Sequence, residues 1–340
     1  MSTKRRYVQS FASQRAGASG GSHGNTMLDL ISTETNQIPT GAESFMLETQ
    51  DGRRLRAAIF RVQGQARGTI ALLQGHNEFI EKYFETIDDL RARGFDVATF
   101  DWRCQGGSER ELDDPRKGHI DDFALYQNDL EAFINQALVT CTQPFYALAH
   151  SMGAAIVLDA AYSARPPFQR LILTAPMIDI ANIRFPNAVR WLADTLDMVG
   201  MGGRYIPLGN KRSMLEKPYE NNKLTTDPDR FARNASILDK APALIIGDPT
   251  IGWVNAAFRL MSRFESPDYP RRIRTPALVI SCGREQIVSN NAIERFVANL
   301  NNAALVHIPG SKHEILMERD RVRDQFWRAF DAFVPGETFH

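Results

Sequence analysis

Short apolar runs alternate with amphipathic segments along most of this chain. The apolar runs have the length of buried strands, and the segments between them carry apolar residues at helical spacing. This alternation is typical of an α/β fold with a mostly parallel, doubly wound sheet. The first two runs flank an Asp-Gly turn and are predicted to form a hairpin. We predict strands at 44–49, 55–62, 69–73, 96–102, 145–149, 170–175, 277–282 and 304–308, and helices at 83–93, 121–138, 153–163, 291–299 and 319–333.

The alternation stops between Ala175 and Pro276. This stretch is too long for a loop in a compact domain, so it is predicted to be an inserted structure. Segments 186–196 and 253–261 have amphipathic helical spacing, which favours a helical cap. Several side chains could either enclose an apolar channel for an acyl chain or simply pack the cap onto the core. These are Met177, Met198, Val199, Met201, Met214 and Trp253.

The pattern divides the chain into four parts. Residues 1–25 are basic and rich in Ser and Gly, and we predict a disordered basic tail. Residues 26–176 and 266–334 are the two parts of the α/β core, and residues 177–265 are the inserted cap. We predict a cytoplasmic location. The tail composition also suits an organellar transit segment, so an organelle is the alternative.

Charge and cysteine content bear on nucleic-acid binding, on the redox compartment and on metal binding. Lys plus Arg equals Asp plus Glu at 40 each, and this balance gives no electrostatic basis for binding nucleic acid. The 3 cysteines form no C-x-x-C pair and are predicted to be free thiols in a reducing compartment. No metal-ligand spacing is present, because the motif at His313 lacks the second histidine of H-E-x-x-H. We predict neither a metal nor a cofactor.

Ser151 is the candidate nucleophile. It follows the apolar strand 145–149 and precedes the helix-like run 154–161, within Ala149-His150-Ser151-Met152-Gly153. A strand, an abrupt turn and a helix form the context in which a G-x-S-x-G elbow exposes its hydroxyl. An ordinary serine at a helix N-cap is the alternative interpretation.

His313 and Glu285 are the candidate partners of this serine. A serine hydroxyl needs a base, and an imidazole suits proton transfer near neutral pH. His313 lies in the loop after the last predicted strand, whereas His307 lies inside that strand and is disfavoured. Glu285 is the acid in the loop after strand 277–282, where a carboxylate can orient the imidazole.

Two backbone amides are candidates for an oxyanion hole. Acyl transfer needs N–H donors from the residue after the nucleophile and from the loop after an earlier strand. The first donor is predicted to be Met152. The second is predicted to be His76, because Gly75 allows a sharp turn after strand 69–73.

Four segments together resemble the α/β-hydrolases, in the lysophospholipase and monoacylglycerol-lipase branch. They read Gln-Gly-His-Asn-Glu at 74–78, Asp-Trp-Arg-Cys-Gln-Gly-Gly-Ser at 101–108, Ala-His-Ser-Met-Gly at 149–153 and Gly-Ser-Lys-His-Glu-Ile-Leu at 310–316. The resemblance implies an α/β-hydrolase fold and a Ser-His-acid carboxylester hydrolase with a cap over its site. The chain departs from the usual pattern at Ala149 and Cys104, where glycine is usual, at Gln74-Gly75-His76, where His-Gly-x is common, and at Glu285, where aspartate is commoner.

We predict a serine ester hydrolase that acts through an acyl-enzyme on a small-molecule ester. Lysophospholipids or monoacylglycerols are the predicted substrates, and peripheral contact of the cap with a membrane is left open. A small-ester esterase or a serine peptidase on the same scaffold is the alternative, because no cap residue specifies the leaving group. A non-catalytic ligand receptor is disfavoured, because all three triad candidates are present. No oligomeric state is predicted.

Overall fold

The computed structural model describes residues 29–162 and 167–334. The predicted basic tail at 1–25 lies outside these residues, as does the predicted last residue of the helix at 153–163. Within the described ranges, no helix is both long and apolar enough to cross a membrane.

An eight-stranded sheet forms the centre of the fold, in the order β1-β2-β4-β3-β5-β6-β7-β8. β1 pairs with β2 and β2 with β4 in antiparallel fashion, and the other neighbours are parallel. Every residue of β3 and β4 is buried, so both faces of the sheet are covered there. The strands are β1 (Ala42–Glu48), β2 (Arg54–Phe60), β3 (Thr69–Leu73), β4 (Asp96–Phe100), β5 (Phe145–His150), β6 (Arg170–Thr174), β7 (Ala277–Cys282) and β8 (Ala303–Ile308).

Five of the helices connect or follow these strands. They are α1 (Phe84–Ala92), α2 (Ala124–Gln136), α3 (Ser151–Tyr162), α8 (Asn290–Val297) and α9 (Asp320–Phe333). The predicted strand at 96–102 ends earlier, at Phe100, and the carboxylate of the next residue, Asp101, accepts hydrogen bonds from Ile80 N and Gly107 N. Elsewhere the predicted core elements agree with the structure to within a few residues.

The insertion between β6 and β7 contains α4 (Pro186–Leu196), α5 (Pro228–Lys240), α6 (Ile251–Phe264) and α7 (Asp268–Arg272). α6 belongs to the main hydrophobic core through Trp253, Ala257 and Met261. A second, smaller apolar cluster consists of Phe79, Leu215, Leu224, Phe231, Ile237, Leu238, Leu244 and Ile245. The insertion is thus held to the core by two separate apolar contacts.

The strand order places the functional side chains. β4 and β5 lie on opposite sides of β3, and in open α/β sheets ligands bind at the carboxyl ends of strands where the order reverses. Leu73 pairs with Ala149, so the loop after β3 and the start of α3 leave the sheet side by side. The loops after β7 and β8 leave from the same edge, because Cys282 pairs with Ile308.

Candidate active site

Ser151 occupies a strained turn between β5 and α3. Its φ of 49° lies in the left-handed region, which is uncommon for a residue with a side chain and is found at functional turns. Gly153 permits this turn, because a Cβ there would lie 2.4 Å from the carbonyl oxygen of Gln74. Ala149 is fully buried in β5 and fits without glycine. The tight contact therefore falls at 153, and the departure at 149 is accommodated.

The three predicted triad residues lie in one hydrogen-bonded chain. Ser151 Oγ is 3.0 Å from His313 Nε2, and His313 Nδ1 is 2.8 Å from Glu285 Oε2. A carboxylate accepts from Nδ1–H, so Nε2 is left with its lone pair towards the serine hydroxyl. This is the arrangement in which an imidazole can take the proton of a serine.

Backbone amides hold the Glu285 carboxylate in place. Its Oε1 atom accepts hydrogen bonds from Gln286 N at 2.9 Å and Ile287 N at 2.7 Å. Burial alone would raise the pKa of Glu285, but His313 and the amides of Ile287 and Val288 outweigh it and lower the pKa to about 2. The group is therefore ionised at neutral pH.

The loop that carries His76 and the start of α3, which carries Met152, both lie beside the nucleophile. A Cβ on Gly75 would lie 3.3 Å from Ser151 Cβ, so the loop after β3 lies directly against the serine. The Gly75 N–H donates to Glu78 and the Asn77 N–H to Gln105, whereas the His76 N–H donates to no described residue. Met152 is the second residue of α3, where backbone N–H groups have no acceptor within the helix.

The imidazole of His76 packs against the insertion. Its ring centroid lies 4.2 Å from that of Trp253 in α6. Burial lowers the pKa of His76 to about 4, so the ring is neutral at pH 7. The sequence did not indicate this contact, because it joins residues far apart in the chain.

Asn77 was missed by the sequence analysis and ties the same loop to the insertion. Its side chain donates to Ser213 Oγ at 3.0 Å and accepts from Ile246 N at 3.1 Å. Its φ of 62° is a second left-handed turn, which asparagine tolerates better than most residues. The insertion therefore contacts the loop after β3 at both His76 and Asn77.

An apolar groove of about 450 Å³ lies between α4 and α6. Of the six side chains considered for an acyl channel, Trp253 lies in the lining, Met177 packs in the main core and Met198 is 82% exposed. The lining residues are Ile180, Ile183, Val189, Leu192, Ala193, Leu196, Ile206, Pro207, Pro249, Ile251, Trp253, Val254, Ala257, Phe258 and Met261. Trp253 lines the groove and also packs against His76. The groove therefore adjoins the loop beside Ser151.

The chain is similar to known proteins in both sequence and fold. A family model described as serine aminopeptidase, S33, matches residues 64–320, which is most of the chain. The chain belongs to this family. The predicted α/β-hydrolase fold is confirmed, and so is the prediction that the protein is a hydrolase enzyme of the lysophospholipase and monoacylglycerol-lipase branch.

Relatives and solved structures agree with this placement. A probable lysophospholipase L2 from Haemophilus influenzae is 29% identical over 301 residues, which is 87% of this chain and 94% of the relative. Lysophospholipase L2 from Escherichia coli is 33% identical over 290 residues, 79% of this chain and 80% of the relative. The structure of a soluble variant of monoglyceride lipase from Saccharomyces cerevisiae has a TM-score of 0.69 at 20% identity, covering 87% of this chain and 96% of that one.

Proposed function

We propose that Ser151, His313 and Glu285 form the catalytic triad of this serine ester hydrolase. The observation that carries the proposal is the continuous chain of hydrogen bonds from Ser151 Oγ to the ionised Glu285. Ser151 Oγ attacks the ester carbonyl while His313 takes its proton, and the amides of His76 and Met152 hold the developing oxyanion. His313 then gives the proton to the leaving alcohol. Water, deprotonated by His313, releases the acid from the acyl-enzyme.

We propose a lysophospholipid or monoacylglycerol as the substrate. The similarity to lysophospholipases supports a lipid ester, and the groove beside Trp253 supports an acyl chain because its lining is apolar throughout. An aminopeptidase would need an acidic or polar group for the substrate α-amine, and the lining of this groove has none. The groove therefore favours the lipid ester over the peptidase alternative.

Acyl-chain length tests the lipid proposal. Each methylene buried in the groove should contribute about 0.8 kcal/mol, or roughly fourfold in kcat/KM, if the contact persists in the transition state. We expect kcat/KM to rise by up to about 250-fold between esters of about four and eight carbons, measured below micelle formation. A flat or falling profile would reject the lipid proposal in favour of a small-ester esterase.

A pair of variants locates the binding of the chain. Leu192 lines the groove at 43% exposure, so Leu192→Asn should fold normally, flatten the chain-length series and leave the rate on the shortest ester unchanged. Leu305→Asn is the matched control, because Leu305 is 37% exposed on the edge strand β8. An identical series in both variants would place the acyl chain elsewhere.

We further propose that the exposed apolar side chains of segment 184–212, which includes α4, contact an anionic membrane surface. Trp191 is 68% exposed and Leu208 is fully exposed, and both adjoin residues that line the groove. Segment 184–212 contains 5 Arg or Lys residues and 2 Asp residues, a balance that suits anionic head groups. The cytoplasmic location and its organellar alternative stay predictions from the sequence.

Vesicle sedimentation tests the membrane contact. Trp191→Ser combined with Met198→Ser should weaken binding to phosphatidylglycerol vesicles by about tenfold or more, because two exposed apolar side chains no longer enter the lipid. Val139→Ser is the control, since Val139 is 64% exposed outside the insertion. Equal sedimentation of wild type, double variant and control would contradict the proposed surface.

A further inference from the structure

A buried lysine joins the two loops that flank Ser151. Lys82 is 1% exposed, and its Nζ lies 2.6 Å from Glu78 Oε1 and 2.6 Å from Glu314 Oε1. Glu78 accepts the N–H of Gly75, the residue before His76, and Glu314 directly follows His313. One ammonium group therefore connects the loop after β3, which carries His76, to the loop after β8, which carries His313. We call these the oxyanion loop and the histidine loop.

The two carboxylates of this cluster respond differently to their surroundings, because burial and the nearby Glu78 raise the pKa of Glu314. Burial alone would raise the pKa of Glu78, but Lys82, His150 and the Gly75 amide lower it to about 2, and the two carboxylates raise the pKa of Lys82. Tyr83 donates a further hydrogen bond to Glu78 at 2.8 Å. Buried ion pairs are weak sources of stability compared with apolar packing, and their best-attested use is to fix one arrangement.

We propose that Lys82 is a positioning residue that sets the distance between the oxyanion amide of His76 and the base His313. This inference rests on the proposed triad. The oxyanion forms at one loop while the proton moves to the other, so their relative position matters most in the transition state. A misplacement of about 1 Å at a reacting group can cost on the order of 10²-fold in rate.

Lys82→Met tests the proposal. We expect kcat per active site, titrated with a fluorophosphonate, to fall by about 30- to 100-fold with KM nearly unchanged, because the lost interaction acts in the transition state. A boronic acid that mimics the tetrahedral intermediate should bind weaker by a similar factor. Lys82→Arg keeps the charge and should recover part of kcat.

Arg103→Met is the matched control. Arg103 is also 1% exposed and also bridges two carboxylates, those of Asp51 and Asp129, but it contacts neither loop. Both variants should lower the melting temperature, and Lys82→Met should be the one that lowers kcat per titrated site. Unchanged kcat in Lys82→Met, or an equal loss in Arg103→Met, would overturn the inference.

Glu314→Gln keeps the test decisive if Lys82→Met does not fold. It leaves the Lys82–Glu78 pair intact and removes the carboxylate that Lys82 contacts next to His313, so kcat should again fall while KM holds. Full kcat in this variant would contradict the proposed link. Failure of the wild type itself to react with the fluorophosphonate would instead contradict the proposed triad.

Discussion

Ser151→Ala is expected to lower kcat by about 10⁴-fold or more while leaving the fold intact. The variant removes the hydroxyl that lies 3.0 Å from His313 Nε2, and a smaller side chain fits the turn between β5 and α3. Labelling by a fluorophosphonate should disappear together with ester turnover. Both are measured on the purified variant after its melting temperature has been compared with that of the wild type.

Ser281→Ala is the natural control for this experiment. Ser281 Oγ lies 3.0 Å from His307 Nδ1, so the chain contains a second serine–histidine pair at the same separation. His307 lies on the edge strand β8, and Ser281 is not at a strained turn. The control should keep full turnover. Near-normal esterase activity in Ser151→Ala would remove Ser151 from its proposed role.

The core and the three residues of the hydrogen-bonded Ser-His-Glu chain could be identified from the sequence because their signals are local. Buried parallel strands are apolar along their whole length, as in β3 and β4, and the loops after them carry the functional side chains. Ser151 lies between an apolar strand and a helix, and Glu285 and His313 each follow a strand. The parallel strands β5 to β8 end at the same side of the sheet, which brings the loop residues after β5, β7 and β8 together.

The missed features depend on contacts between distant residues. The Lys82–Glu314 pair joins residues 232 positions apart, and either residue alone has the appearance of a solvated surface charge. α5 was missed although Asp227 and Pro228 are a recognisable start signal. Its apolar face packs on the small second cluster and not on the main core. Most of the groove residues were not identified from the sequence, because the lining consists mainly of residues that α4 and α6 bring together.

Glu285→Gln is expected to lower kcat by about 10⁴-fold while KM changes little. Glu285 Oε1 accepts backbone N–H bonds, so the amide oxygen of the glutamine should take that position and its NH₂ should face His313 Nδ1. An NH₂ group cannot accept from Nδ1–H, so the imidazole would carry its proton on Nε2 and lose its ability to deprotonate Ser151. The shape of the site stays the same, and so does substrate binding.

The pH dependence separates this cause from a general loss of structure. The pKa of Glu285 is about 2, below the usual value, so the native carboxylate is ionised at every pH above about 4 and its contribution to stability is lost only as the pH falls towards 2. The factor by which Glu285→Gln lowers kcat should therefore be constant from mildly acidic to alkaline pH. Glu294→Gln, at an exposed position of α8, should behave as wild type. Full activity in Glu285→Gln would mean that a different carboxylate, in the insertion or a neighbouring loop, orients His313.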